Sequence, residues 1–314
     1  MKKRLITSAF MLLVVAVAFV SRLLTNYIFD FMILTLAVMG SVEVARVLER
    51  QKKPVNIYLV GSFPALLYVG FILCLKLKAT WEYYVIALMC LIILYFACIV
   101  IITLAMKKTL EAEMEKSGVQ CKKGEYAVDK AMYTLSVLVY PGLLFMCIVM
   151  INHLGEFMFA TSLGYSIDMV VLFALLLVFV VTATTDSMAL VVGKSLKGPK
   201  LCPLISPNKT ISGAVGGLIF GVVSGMLLLL IFNYLPNFLN QFSAIGGTVW
   251  HILIISFVGS IISQCGDLVA SSLKRKARVS DYGTIFPGHG GVMDRVDGLI
   301  FNALVVLIAF MLII

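Results

Sequence analysis

Gly213-Ala-Val-Gly-Gly-Leu-Ile-Phe-Gly-Val-Val-Ser-Gly-Met-Leu-Leu-Leu-Leu-Ile-Phe232 runs for twenty residues without an ionisable side chain. That is about the length a helix needs to cross the hydrocarbon core of a bilayer. The run is not isolated. Working outward, comparable segments lie at Leu5–Val20, Tyr27–Gly40, Ile57–Leu75, Tyr83–Ala105, Met132–Ile151, Met169–Thr185, Val249–Ser263 and Leu299–Ile314. With 61% hydrophobic and 13% charged residues, the 314-residue chain has too little polar surface for a soluble globular domain. The pattern predicts an all-α polytopic membrane protein with about nine transmembrane helices. The second span is short and continues into a polar helical extension, Glu43–Arg50, which predicts a tilted or broken segment.

Charge placement orients the spans. Of 25 Lys and Arg residues, 22 fall on one side of a strictly alternating nine-span model: the N-terminus and the loops at 41–56, 106–131, 186–212 and 264–298. The positive-inside bias makes that side cytoplasmic, with the N-terminus in. The net charge of +9 is therefore a topology signal and predicts no nucleic-acid partner. A cleaved signal peptide over Met1–Ser21 is the alternative for the first segment, and it leaves the later loops on the same side. The longest polar stretches are a few tens of residues, so no separate soluble domain is expected. The division read from sequence is 1–130, with four helices and a cytoplasmic linker, and 131–314, which carries the polar motifs. The seven cysteines are scattered, without zinc-ligand spacing or a disulfide framework.

The chemistry concentrates in two cytoplasmic loops. Gln264 to Asp297 holds Asp267, Asp281, Asp294 and Asp297, five cations and five glycines, in a protein with only sixteen acids. Carboxylates hold divalent metal, cations hold phosphate, and glycines let backbone approach both. A helical reading places Ser271, Lys274 and Arg275 on one face with Asp267. Past Pro287-Gly288, the turn His289-Gly290-Gly291 allows positive φ or close ligand approach. Asp294 and Asp297 then share a helical face, with Arg295 between them. The second loop joins Asp186, which is expected to end a span, to Gly193-Lys194, then Ser206-Pro207-Asn208-Lys209-Thr210, Gly213 and Gly216-Gly217. Ser206 and Thr210 either donate to phosphate oxygens or cap the next helix. Glu43 and Arg46, three residues apart, either pair across a helical turn or join the site. Together the loops read as walls of a polyanion site suited to phosphoryl or nucleotidyl transfer on a lipid.

The run from Ser271 through Lys274-Arg275, Ser280-Asp281, Gly283, Phe286-Pro287 and His289-Gly290-Gly291 to Asp294-Arg295-Val296-Asp297 resembles the signature of the phosphatidate cytidylyltransferase (CDP-diacylglycerol synthase) family. Gly266-Asp267 upstream, and Asp186 to Gly193 with Ser206-Pro207-x-Lys209-Thr210 to Gly213, match it too. By motif the resemblance covers the C-terminal 130 or so residues. It implies the reaction of CTP with phosphatidic acid to give CDP-diacylglycerol and pyrophosphate, in phospholipid synthesis at the cell membrane. It implies Mg²⁺ on Asp267 and Asp294, with Asp297 and Asp281 in support; a second metal or a monovalent cation is left open. Homodimer formation is implied on the same ground. Lys274, Arg275, Arg295 and Lys209 are the expected triphosphate and phosphatidate contacts. Ser206, Thr210, Ser271, Asp186, His289, Gly290 and Gly291 line the substrate. Three positions depart from the pattern: Ser280 and Asn208 stand where lysine is usual, and Ile211-Ser212 replaces Trp-Glu. A different lipid phosphate as acceptor, a transporter, and a catalytically silent scaffold are the competing readings; the intact aspartates and their place in loops speak against the last two.

Overall fold

The computed structural model describes residues 13–22, 24–77, 81–105, 125–159, 168–286, 288 and 290–313. Its helices are α1 (Leu13–Arg22), α2 (Asn26–Arg50), α3 (Ile57–Lys76), α4 (Trp81–Ala105), α5 (Glu125–Asn152), α6 (Leu154–Phe159), α7 (Asp168–Leu196), α8 (Ile211–Asn233), α9 (Phe238–Ala244), α10 (Val249–Lys276) and α11 (Met293–Ile313). One antiparallel hairpin, β1 (Lys200–Cys202) with β2 (Ser206–Thr210), separates α7 from α8. Among the described residues seven helices are long and apolar enough to cross a membrane: α2, α3, α5, α7, α8, α10 and α11. Of the other two expected spans, the first lies partly outside the described residues. The fourth is helical throughout α4, with Leu88–Ile102 as its apolar part.

Helix lengths depart from the spans in a consistent way. The second span and its polar extension form one continuous helix of 25 residues, neither short nor broken. α7 runs on past Thr185 to Leu196, and α10 past Ser263 to Lys276. Hydropathy reports the thickness of the bilayer, whereas a helix continues until something stops it. Nothing does so in α7 until Lys197, which adopts φ 46° just before Gly198-Pro199. Asp186 therefore sits within a helix and does not end one.

The chain forms two compact units. One contains residues 1–146 and 276–294, the other residues 147–275 and 295–314. In the first, α2 packs on α3, and both meet α5. Phe63 fills the space above Gly142, and Thr134 Oγ1 accepts from the Asn56 amide at 3.0 Å.

The second unit is built on glycine. Gly217 and Gly221 of α8 lie against Thr185 of α7, and Gly221 also faces Ser260 of α10, whose hydroxyl is 3.1 Å from Thr185 Oγ1. Gly225 faces Ser256. Asn302 of α11 donates to Val178 O and Thr182 Oγ1 of α7, both at 3.0 Å, while its Oδ1 faces Gly259 of α10. Small residues let helices approach to backbone distance, which substitutes for the hydrophobic drive that lipid does not supply. Phe173, Phe232, Phe238 and Phe242 close one end of this unit, with ring centroids 5.1–6.1 Å apart.

Candidate active site

In the second unit three helices each contribute one aspartate: Asp186 from α7, Asp267 from α10 and Asp297 from α11. Asp186 lies in the electrostatic field of Asp267, Asp297 and Lys209. Lys209, carried on β2, pairs with Asp267 Oδ2 at 2.6 Å, and Ser271 donates to Asp267 Oδ1 at 3.3 Å. The paired side chains keep 26% and 29% of their surface, so the group opens to solvent. Asp297 is more enclosed, 8% exposed, and accepts from the Gly298 amide. A Cβ at Gly266 would stand 2.7 Å from Asp297 O and against the Phe301 ring. The glycine before Asp267 thus lets α10 and α11 meet where their aspartates are carried.

The hairpin is fastened at several points. Thr210 caps α8, its Oγ1 accepting from Gly213 N at 3.1 Å. Of the two roles open to it, the structure assigns the cap. Gly193 packs on Thr210 and Gly213, and Gly216 on Val192. Gly213, Gly216 and Gly217, read as part of a polyanion wall, are packing positions here. Arg275 Nε donates to Ile205 O at 3.2 Å and ties the hairpin to α10. Ser206 is half-buried in β2, facing Cys202 across the ladder, and Lys274 is half-buried on α10.

The first unit holds the other named residues. Asp294 Oδ2 accepts from the amides of Tyr282 (2.8 Å) and Gly291 (2.9 Å). Gly290 has φ +87°, a conformation that favours glycine, and an added Cβ would stand 2.7 Å from Asp294 Oδ2 and 3.1 Å from Asp281 Oδ1. The glycines serve close approach as expected, but it is the protein's own carboxylates that approach them. Ser280 donates to Asp281 at 2.7 Å. His289 lies outside the described residues. Arg295, which belongs to the second unit, is exposed in the first turn of α11.

Glu43 is the residue whose place the sequence did not give. Its oxygens accept from Val292 N (3.0 Å) and Met293 N (2.9 Å), and it is 4% exposed. Arg46 adds its field but is not the main partner of this carboxylate. The signal in the sequence was an acid at the edge of an apolar span; its partners, some 250 residues away, left none.

Among the described residues no three His, Cys, Asp or Glu side chains are close enough to enclose a metal ion. Magnesium does not need such a cage. It takes one or two carboxylates, several waters and substrate phosphate oxygens. Oxygen donors at a partly open cluster, with an ammonium already drawn to Asp267, fit that requirement.

The profile of the cytidylyltransferase family matches residues 2–313. The chain belongs to the cytidylyltransferase family. It is similar to the phosphatidate cytidylyltransferase of Brucella abortus, at 43% identity over 125 residues, 40% of this chain and 42% of that protein. The Rickettsia felis enzyme of the same name is 41% identical over 129 residues, 41% of this chain and 55% of its own length. The Staphylococcus saprophyticus one is 34% identical over 179 residues, 57% and 58%. The chain thus spans about two fifths to three fifths of the curated relatives it matches.

Within the cytidylyltransferase frame, the departures from the signature acquire local roles. Ser280 holds Asp281. Ser212 accepts from the Gly198 amide at 3.3 Å and lies 3.2 Å from Thr210 Oγ1, so it helps close the hairpin. Asn208 is exposed on β2 beside Lys209.

Proposed function

We propose that the protein transfers the cytidylyl group of CTP to phosphatidic acid, giving CDP-diacylglycerol and pyrophosphate, at the cytoplasmic face of a cell membrane crossed by nine helices with the N-terminus inside. The observation that carries this reading is the grouping of Asp186, Asp267 and Asp297 with Lys209 on membrane-crossing helices and the hairpin between two of them. The names of the relatives support it, as does the charge bias that puts these loops where CTP is found.

In the reaction a phosphatidate oxygen forms a bond to the α-phosphorus of CTP while the bond to the bridging oxygen of pyrophosphate breaks. The protein forms no covalent bond, so positioning and charge neutralisation carry the rate. Lys209 releases Asp267 to meet triphosphate oxygens, with Lys274, Arg275 and Arg295 as further cations. In the second unit Asp267 and Asp297 would hold Mg²⁺, which when bound neutralises phosphate charge; the family's pattern makes Asp294 of the first unit, with Asp281 in support, a metal carboxylate as well. Ser271 keeps the Asp267 carboxylate turned toward the open side.

The test is transfer from radiolabelled CTP to phosphatidic acid by protein purified in detergent, with Mg²⁺ or EDTA. Metal-dependent formation of CDP-diacylglycerol is the expected result. A protein that binds CTP but leaves phosphatidic acid unchanged points to another lipid phosphate as acceptor. One that binds no CTP overturns the reading.

A further inference from the structure

The last helix begins without a cap of its own. α11 starts at Met293, which puts Val292 where Ser, Thr, Asp or Asn ordinarily closes a helix N-terminus. Val292 offers no acceptor and is buried, as is Met293, so the first amides need a partner from elsewhere. Glu43 of α2 supplies it. One carboxylate oxygen takes the Val292 amide and the other takes the Met293 amide. A Cβ at Gly283 or at Gly291 would overlap the same carboxylate, so the loop before α11 is shaped around it. One turn earlier on α2, Gly40 makes room for Phe145 and Met293. The residue that follows Met293 is Asp294, which in turn holds the Tyr282 and Gly291 amides.

We propose that Glu43 is a positioning residue that caps α11 from a distant helix and so holds the backbone at Gly291–Met293, with the Asp294 carboxylate, in one arrangement. Each oxygen accepts from one amide and the residue is 4% exposed, a setting that suits a buried cap. A carboxylate suits the task because it accepts from two adjacent N–H groups and its charge matches the positive end of the helix dipole. The consequence for catalysis rests on the function proposed above; the cap itself does not.

Glu43→Gln, Glu43→Asp and Glu43→Ala separate the possibilities. Glutamine keeps the length and one acceptor oxygen. Aspartate keeps the charge but is one methylene short. If Glu43 is a cap, Glu43→Gln stays within about tenfold of wild-type kcat, while Glu43→Ala falls about a hundredfold, the scale of losing charge-assisted hydrogen bonds. Glu43→Asp falls further than Glu43→Gln, and the Mg²⁺ dependence and the KM for CTP stay put in all three. Hydrogen exchange of the 291–293 amides accelerates in the same order. The reverse order, Glu43→Asp active and Glu43→Gln dead with a shifted Mg²⁺ requirement, makes Glu43 a ligand and overturns the proposal. Wild-type exchange in Glu43→Ala does the same. If Glu43→Ala does not accumulate, the order of the other two decides. A wild-type protein without cytidylyl transfer sinks the function and leaves the exchange measurement to judge the cap.

Discussion

The two units use carboxylates in opposite ways. In the first, Glu43 and Asp294 accept from four backbone amides between them, those of Tyr282, Gly291, Val292 and Met293. In the second, Asp267 meets an ammonium and a hydroxyl, and Asp186 lies in the field of two other acids. An amide partner is fixed by the chain and cannot be exchanged without moving the loop. A lysine partner swings away when a better cation or a phosphate arrives. The first arrangement fixes where a carboxylate stands, and the second leaves a carboxylate free to change partners. The acid-rich stretch 264–297 looks uniform as sequence, yet it contributes Asp294 to one kind of environment and Asp267 to the other.

The sharpest break of this comparison is Asp267→Asn. It leaves the fold in place and lowers cytidylyl transfer by about a thousandfold, about 4 kcal/mol of transition-state stabilisation, measured at saturating substrate beside the melting curve. Asp294→Ala behaves differently, because it strips two amides of their acceptor. It costs about 2 kcal/mol or more of stability and opens 282–291 to proteolysis, whereas Asp294→Asn retains an oxygen and keeps the loop protected. Gly266→Val tests the frame that presents the second cluster. Its side chain would meet the Asp297 carbonyl and Phe301, and it lowers stability in detergent by about 1–3 kcal/mol. Lys209→Met, which removes the exchangeable partner, raises the KM for CTP about tenfold, the effect of one charge-assisted contact, with little change in melting temperature. The smallest effect belongs to Thr210→Ala, about 1 kcal/mol of stability from the α8 cap, with the KM for CTP unchanged.

Much of this was legible in the sequence. Uninterrupted apolar runs gave the membrane helices, and the face shared by Asp267 and Ser271 reappears as a hydrogen bond on α10. The edge of the apolar stretch did not mark the helix ends, since Asp186 and Asp267 continue helices beyond it; α7 stops only before Gly198-Pro199. Nor was the hairpin legible. β2 is Ser-Pro-Asn-Lys-Thr, without apolar alternation, and the hairpin is fastened by Arg275 and Ser212 from outside its strands. Glycines were legible as glycines but not by purpose. Gly290 serves backbone conformation and Gly216 serves helix contact, and only neighbours distant in sequence tell them apart.

Ser256 Oγ, Ser263 Oγ and Asn302 Oδ1 are buried without a conventional hydrogen-bond partner, and each faces a glycine, Gly225, Gly298 and Gly259 in turn. Close carbon–hydrogen contacts of that kind are short-range and need no water to be expelled. Hydrophobic assembly weakens on cooling because its strength comes from water. A frame joined by small residues at backbone distance leans on packing contacts in lipid, where that water-derived drive is absent to begin with.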